Sequence, residues 1–287
     1  MIRVLSAEML AWALAAILIL ALSYDGQVGE RLTTLTRNSH WTEAGTIPVG
    51  FDAFHPQGMV KIGDIFFVSA VNKERRTGHL FKIDASGRQI ADMPLTEGEL
   101  YHPGGIDFDG KDLWVPLAEY RPDSRAIIYR VDPATMKATE VVRVADHIGA
   151  VVRNTDDRTL HGVSWGSRRF YKWERDGAGA MTRADNPSHY VDYQDCKYIG
   201  GRRMMCGGVA DVRAAGASPF RLGGLDVVSL ADNRPLHQVP IPLVTPAGVS
   251  MTQNPVFIEA RGAALRVYFM PEDGRSTIYI YDVAPAR

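Results

Sequence analysis

Apolar and polar residues alternate with a period of two along most of this chain, in short runs separated by turn residues. That period places successive side chains on opposite faces of a strand. Beyond the first two dozen residues almost no stretch carries a helical stripe, so the pattern predicts an all-β body. The runs also recur. His55-Pro56-Gln57-Gly58-Met59, closed by Ile62-Gly63 and a second apolar strand ending at Asn72, repeats without a gap from His102 to Glu119. A third, weaker copy begins at Asp146-His147-Ile148-Gly149 and reaches Arg168. A unit of this length built from short strands is the signature of a β-propeller blade. Blades bury their faces only against neighbouring blades, so the array is expected to close as one domain.

The turns divide the chain into five blades of four strands, with six as the alternative if the long fourth unit hides another. Blade one reads 55–62, 65–70, 79–83 and 89–95. Blade two reads 105–108, 112–118, 126–131 and 137–144, with Asp109-Gly110 as the hairpin signal between its first two strands. Blade three reads 150–153, 160–165, 169–173 and a poor fourth strand near Met181. Blade four starts at 193–196 and continues through 204–209, 224–229 and 237–242, interrupted by a Gly/Ala/Ser/Pro-rich insertion over 213–220. Blade five takes 255–259, 264–269 and 277–281. The alternating stretch Arg31–Thr36 is expected to supply its fourth strand and close the ring.

The N-terminus breaks the pattern. Arg3 is followed by an apolar run from Met9 to Leu22, then by Ala21-Leu22-Ser23 and polar residues. Residues 1–23 read as a secretory signal peptide or, because the run is only slightly short of a membrane span, as an uncleaved anchor. Residues 24–287 are the propeller. An exported protein, periplasmic or secreted, whose only membrane contact is that segment, follows from either reading. The chain holds 32 basic against 33 acidic residues, a balance that lacks the basic excess of a nucleic-acid binder. A monomer acting on a small-molecule ligand or substrate is expected.

Cys196 and Cys206 flank the turn signal Gly200-Gly201 and fall nearly opposite each other on a hairpin. They form either a cross-strand disulfide, suited to an oxidising compartment, or two buried free thiols.

Propeller geometry brings the start of each inner strand and the end of each second strand to one mouth of the central channel. The starts supply His55, His102, His147, Asp195 and Asn254. The ends supply Asn72, Glu119 with Arg121, Ser167 with Arg168, Asp211 and Glu272. Three imidazoles in register suit a divalent metal, zinc or iron rather than calcium. Glu119 is then the candidate general base. Arg121 and Arg168 are candidates for holding an anionic substrate group, and Ser167, Asp195, Asn254 and Glu272 complete the substrate-binding set. The competing reading makes the histidines structural, each entry turn needing the same residues. Gly162-Val163-Ser164-Trp165-Gly166 matches the nucleophile-elbow pattern, but an alternating run follows where a helix is required, so it is read as coincidence. Asp195, Glu119 and Glu272 form a candidate carboxylate set of the glycosidase kind. Trp114, Trp165 and Trp173 are read as blade packing.

The motifs Tyr101-His102-Pro103-Gly104-Gly105-Ile106-Asp107, Ala118-Glu119-Tyr120-Arg121-Pro122, Trp165-Gly166-Ser167-Arg168 and Tyr193-Gln194-Asp195-Cys196 resemble an uncharacterised family of exported bacterial and fungal propeller-like proteins. The resemblance covers nearly all of the chain after about Thr46 and implies fold and compartment. More remotely the chain is similar to the calcium-dependent propeller lactonases, the gluconolactonase and paraoxonase group, which hold calcium with Glu, Asn and Asp around the channel. Here histidines stand at comparable places, which points away from calcium. The expected function is a ligand site at the channel mouth, in the form of a metal-dependent hydrolase of a small ester or lactone. The alternative is a non-enzymatic module binding a small molecule or a protein.

Overall fold

The computed structural model describes residues 27–187, 190–213 and 220–284. Five antiparallel sheets stand as the blades of a propeller. The first strand in the chain, β1 (His40–Pro48), belongs to the last blade. Blade one is β2 (His55–Ile62), β3 (Ile65–Asn72), β4 (Thr77–Ile83) and β5 (Gln89–Pro94). Blade two has an inner strand in two pieces, β6 (Leu100–Pro103) and β7 (Asp107–Phe108), then β8 (Leu113–Glu119), β9 (Ala126–Asp132) and β10 (Lys137–Val144). Blade three is β11 (Ile148–Asn154), β12 (Thr159–Ser164), β13 (Arg169–Trp173) and β14 (Met181–Asp185). Blade four is β15 (Asp192–Tyr198), β16 (Arg203–Val212), β17 (Phe220–Ser229) and β18 (Pro235–Ile241). Blade five is β19 (Val256–Arg261), β20 (Ala264–Phe269), β21 (Thr277–Ala284) and the returning β1. The long fourth unit is one blade, so the ring has five.

The ring closes through an N-terminal strand, but not the expected one. β1 pairs antiparallel with β21, from His40 opposite Ala284 to Pro48 opposite Thr277. Residues 27–32, which overlap the expected closing strand, are helical. Val28, Leu32 and Leu35 fall at positions i, i+4 and i+7, a helical stripe that the local alternation masked. All three are buried against blades four and five, beside Ile199, Leu225 and Val267. The expected leader, residues 1–23, lies outside the described residues. Among the described residues no helix is long and apolar enough to cross a membrane.

At the axis the inner strands meet backbone to backbone. The Gly105 amide donates to the Gly149 carbonyl (2.8 Å) and the Val151 amide to the Gly105 carbonyl (3.2 Å), joining blade two to blade three. A Cβ at Gly104 would lie 2.1 Å from the Gly149 carbonyl oxygen, and one at Gly58 would lie 2.5 Å from the Ile106 amide. The glycines of the recurring His-Pro motif are therefore required by close approach at the axis.

Asp195 fixes this junction. It is fully buried. One carboxylate oxygen accepts from the Ile106 amide (3.1 Å), the other from the Met59 (3.0 Å) and Val256 (3.3 Å) amides. One side chain in blade four thus holds the inner segments of blades one, two and five. Lys197 pairs with it and also donates to the Ile106 carbonyl (2.7 Å). Burial pushes the Asp195 carboxyl up to about 6 against the pull of Lys197. Next to it, Cys196 and Cys206 stand directly opposite on β15 and β16 and are joined by a disulfide, with Cα atoms 4.1 Å apart.

Asp195→Ala strands the Lys197 ammonium and three strand amides in a dry site. The expected loss in urea unfolding is about 3–5 kcal/mol. Asp195→Ala/Lys197→Met should recover part of it, because the unpaired charge goes too. A single-variant loss below about 1 kcal/mol would remove Asp195 from this role.

Candidate functional site

The mouth at which the inner strands start holds a cavity of about 220 Å³, lined by His55, His102 and His147 together with Gln57, Tyr120, Ser164, Trp165 and residues 192–194. The three histidines expected to converge do so. The inner pairs of blades one to four each carry a register shift near the start of the inner strand, skipping Gln57, Tyr101, Gly149 and Gln194. Bulges of this kind bend a strand and re-aim its side chains, and three of the four skipped residues line the cavity. His55 is aimed by a second device. Phe54, immediately before it, has φ of 56°, a left-handed conformation unusual for a bulky side chain. Its amide donates to Asp52 Oδ1 (2.9 Å) and its carbonyl accepts from Gly274, which hold the turn in place.

Each imidazole has one nitrogen fixed by the protein. His55 Nδ1 lies 2.6 Å from Asp273 Oδ1. His147 Nδ1 lies 2.9 Å from the Glu119 carbonyl, which can only accept, so Nδ1 carries the proton and Nε2 the lone pair. Gln57 donates its amide N–H to the Pro56 carbonyl (3.2 Å), which turns its oxygen toward His102 Nε2 (3.0 Å). His102 then donates from Nε2, leaving Nδ1 an unprotonated nitrogen, buried without a partner. Burial lowers His147 to about 4 against the opposing pull of the Glu119 and Arg121 carbonyls. It holds His102 well below the usual imidazole range, helped by His147, His55 and Lys73. Both rings are neutral at physiological pH.

The rings form one aromatic wall. His102 and His147 have centroids 5.2 Å apart, Trp165 is 4.8 Å from His147, and Tyr120 is 4.3 Å from His102. Trp165 thus faces the site, whereas Trp114 and Trp173 are buried in the blades as expected. Ser164, centre of the elbow-like pattern, ends β12 at the cavity. Its Oγ accepts the Arg169 amide (3.0 Å), and a single 3₁₀ turn leads into β13 rather than a helix.

The other expected residues have different places. The Glu119 carboxylate does not line the cavity. It is held by Arg125 (2.7 Å) and Arg121 (2.6 Å), and the Arg125 hydrogen bond leads the effects that keep it below the usual carboxylate range. Its contribution to the cavity is the carbonyl on His147, not a free base, and Arg121 is occupied by the same ion pair. Asp195 is the axial clamp. Ser167 is fully buried and its Oγ accepts the Tyr193 amide (2.5 Å). Arg168 is exposed at the rim, beside Asp192 across Gly166. Asn254 donates to the Pro271 carbonyl (2.8 Å) and reaches Asp273 at 3.5 Å. Glu272 accepts from Tyr279 (2.8 Å), while the next residue, Asp273, meets His55. Asn72 accepts the Arg75 amide and Asp211 pairs with Arg221, while Asp195, Glu119 and Glu272 of the glycosidase-like set are each engaged by other partners. Among the described residues, no group of three or more His, Cys, Asp or Glu side chains is arranged to hold a metal ion. Sequence reasoning missed Gln57, Tyr120 and Asp273. The first two sit inside the motifs themselves, Gln57 two residues after His55 and Tyr120 next to Glu119.

Fold and mouth together define a five-bladed β-propeller with a small cavity at one end of its axis. Residues 14–285 match the family of unknown function DUF6454, and the chain belongs to that family. No curated protein matches it. Among solved structures it is similar to MPT-4, a mannose phosphorylase from Leishmania mexicana in complex with phosphate ion, with a TM-score of 0.55 and 13% identity, covering 83% of this chain and 88% of that one. A hypothetical protein from Leishmania major gives 0.50 and 12%, covering 85% and 91%. The tail fiber of Staphylococcus aureus phage P68 gives 0.50 and 10%, covering 87% of this chain and 53% of the fiber, so the chain spans about half of that protein. At these identities the likeness is one of fold.

The depressed histidines set a pH dependence of stability. An unfolded imidazole titrates near 6.5, whereas His147 and the buried His161 titrate at about 4 in the fold. The unfolded chain therefore takes up these protons first. Stability is full above about pH 6.5 and falls as pH drops toward 4, by up to about 3 kcal/mol per group. Urea unfolding between pH 7 and 4 should show this slope, and His147→Gln should flatten it; an unchanged slope overturns the assignment.

Proposed function

We propose that the mouth is a small-molecule site that performs general acid–base chemistry, with hydrolysis of a small ester or lactone as the reaction it fits best. The observation that carries this reading is the Asp273–His55 pair at the edge of a cavity walled by two neutral imidazoles. A carboxylate on Nδ1 holds the ring in one tautomer and favours protonation at Nε2, the arrangement of a general base. In the reaction, water adds to the carbonyl carbon as its proton passes to His55 Nε2. The acyl carbon–oxygen bond then breaks, and the same proton moves to the departing alkoxide. Tyr120 and Trp165 offer faces for an apolar part of the substrate, and the cavity size suits a molecule of modest dimensions. One nitrogen of each imidazole is fixed by the protein, but among the described residues these side chains are not grouped to hold a metal ion, so zinc and iron(II) enter only as added conditions of the test. The Cys196–Cys206 disulfide supports export to an oxidising compartment.

The test is a screen of 4-nitrophenyl esters and five- and six-membered lactones, with and without added zinc or iron(II). His55→Ala and Asp273→Asn should each lower kcat/KM by about 10²- to 10⁴-fold on any ester or lactone turned over. Turnover of none of them under either condition sinks the hydrolase reading. Ligand binding that survives Asp273→Asn without any turnover favours a binding module.

A further inference from the structure

A second, more open cavity of about 520 Å³ adjoins the first, lined by Phe54, His55, Asn72, Lys73, Arg75 and Asp273 among others. His55 is the residue that lines both. A substrate spanning the two would cross over His55, with one part against the Tyr120–Trp165 wall and the other in the outer groove.

Lys73 stands at the junction. It follows β3 directly and is exposed, and its Nζ lies 5.5 Å from the centroid of the Tyr120 ring, which itself packs on His102. Four other cations around this mouth are engaged, while Arg75, which lines the same groove, has no ion pair among the described residues. Arg121 and Arg125 hold Glu119, Arg76 holds Glu99, and Arg169 holds Asp123 and Asp146. Lys73 has no ion-pair partner among the described residues. Acids also line the outer groove. Asp273 is bound to His55, Asp52 caps the Phe54 amide, and Glu74 is exposed. One negative charge placed beside Lys73 is attracted, while a ligand with several meets these carboxylates.

We infer that Lys73 is a specificity-determining residue that selects substrates carrying a single carboxylate and holds that carboxylate next to His55. This rests on the reading of the mouth as a small-molecule acid–base site. A lysine suits the task because its three donors rotate freely about a point charge and need no fixed bidentate partner.

The experiment compares wild type, Lys73→Met and Lys73→Arg on two esters, neutral 4-nitrophenyl acetate and the monocarboxylate mono(4-nitrophenyl) succinate. In parallel, tryptophan fluorescence follows binding of monomethyl succinate and dimethyl succinate, with Trp165→Phe identifying the reporter. Lys73→Met should raise the ratio of KM for the charged ester to KM for the neutral one about tenfold, and weaken monomethyl succinate binding by a similar factor. Lys73→Arg should restore most of both. Equal shifts for charged and neutral ligands, or a wild type that binds monomethyl succinate no more tightly than dimethyl succinate, overturns the proposal. If wild type turns over neither ester, the hydrolase reading is decided by the wider ester and lactone screen, and the fluorescence comparison still decides the role of Lys73.

Discussion

Everything at the site depends on one buried carboxylate. The inner segments of a five-bladed ring come together at so small a radius that their backbones touch, and touching backbones leave amides that sheet pairing within a blade cannot satisfy. Asp195 takes three of those amides from three other blades, and Lys197 offsets its charge from the same strand. The axis is thus tied by an ion pair with matched hydrogen bonds, the circumstance in which burying a charge is tolerated. The cavity floor is held by the same contact, since His55 and His102 lie only a few residues before Met59 and Ile106.

The site has two layers of constraint. Bulges and the left-handed Phe54 turn set where the histidines point, and carbonyl, amide or carboxylate partners set which nitrogen of each carries a proton. A carbonyl oriented by strand pairing costs little to place, so using the Glu119 carbonyl on His147 frees the Glu119 side chain to pair with Arg121 and Arg125. The result is an aromatic cavity whose two buried imidazoles are neutral, inside a rim where several charges are paired and Lys73 is not, so an added charge is felt strongly.

The repeat made the five blades and the convergence of His55, His102 and His147 legible, because both follow from register alone. The misread parts share a different cause. Residues 31–36 alternate locally, and only the spacing of Val28, Leu32 and Leu35 shows the helix. Glu272 and Asp273 are neighbours in a loop, where no periodicity decides which carboxylate faces His55; the Gly274 hydrogen bond to Phe54 does. Glu119 sits at the expected height in the blade, yet Arg121 and Arg125 beside it in the chain were the sign that its charge is spent locally. Asp195 is not in register with His55 and His147: it follows the skipped Gln194 by one residue, whereas they precede their skipped residues by two, so it lies deeper on the axis beside Met59 and Ile106.

The pairing of β1 with β21 also orders events during synthesis. Blades one to three, which supply the three histidines, Tyr120 and Trp165, can assemble while later parts of the chain are still on the ribosome. Asp195 arrives with blade four and its last amide partner with Val256, so the axial clamp tightens only late. Asp273 precedes β21, and the fifth blade stays one strand short until β21 meets the waiting β1. A stalled chain would therefore present the aromatic wall without its carboxylate partner, and such a half-ring exposes apolar sheet faces of the kind that chaperones recognise.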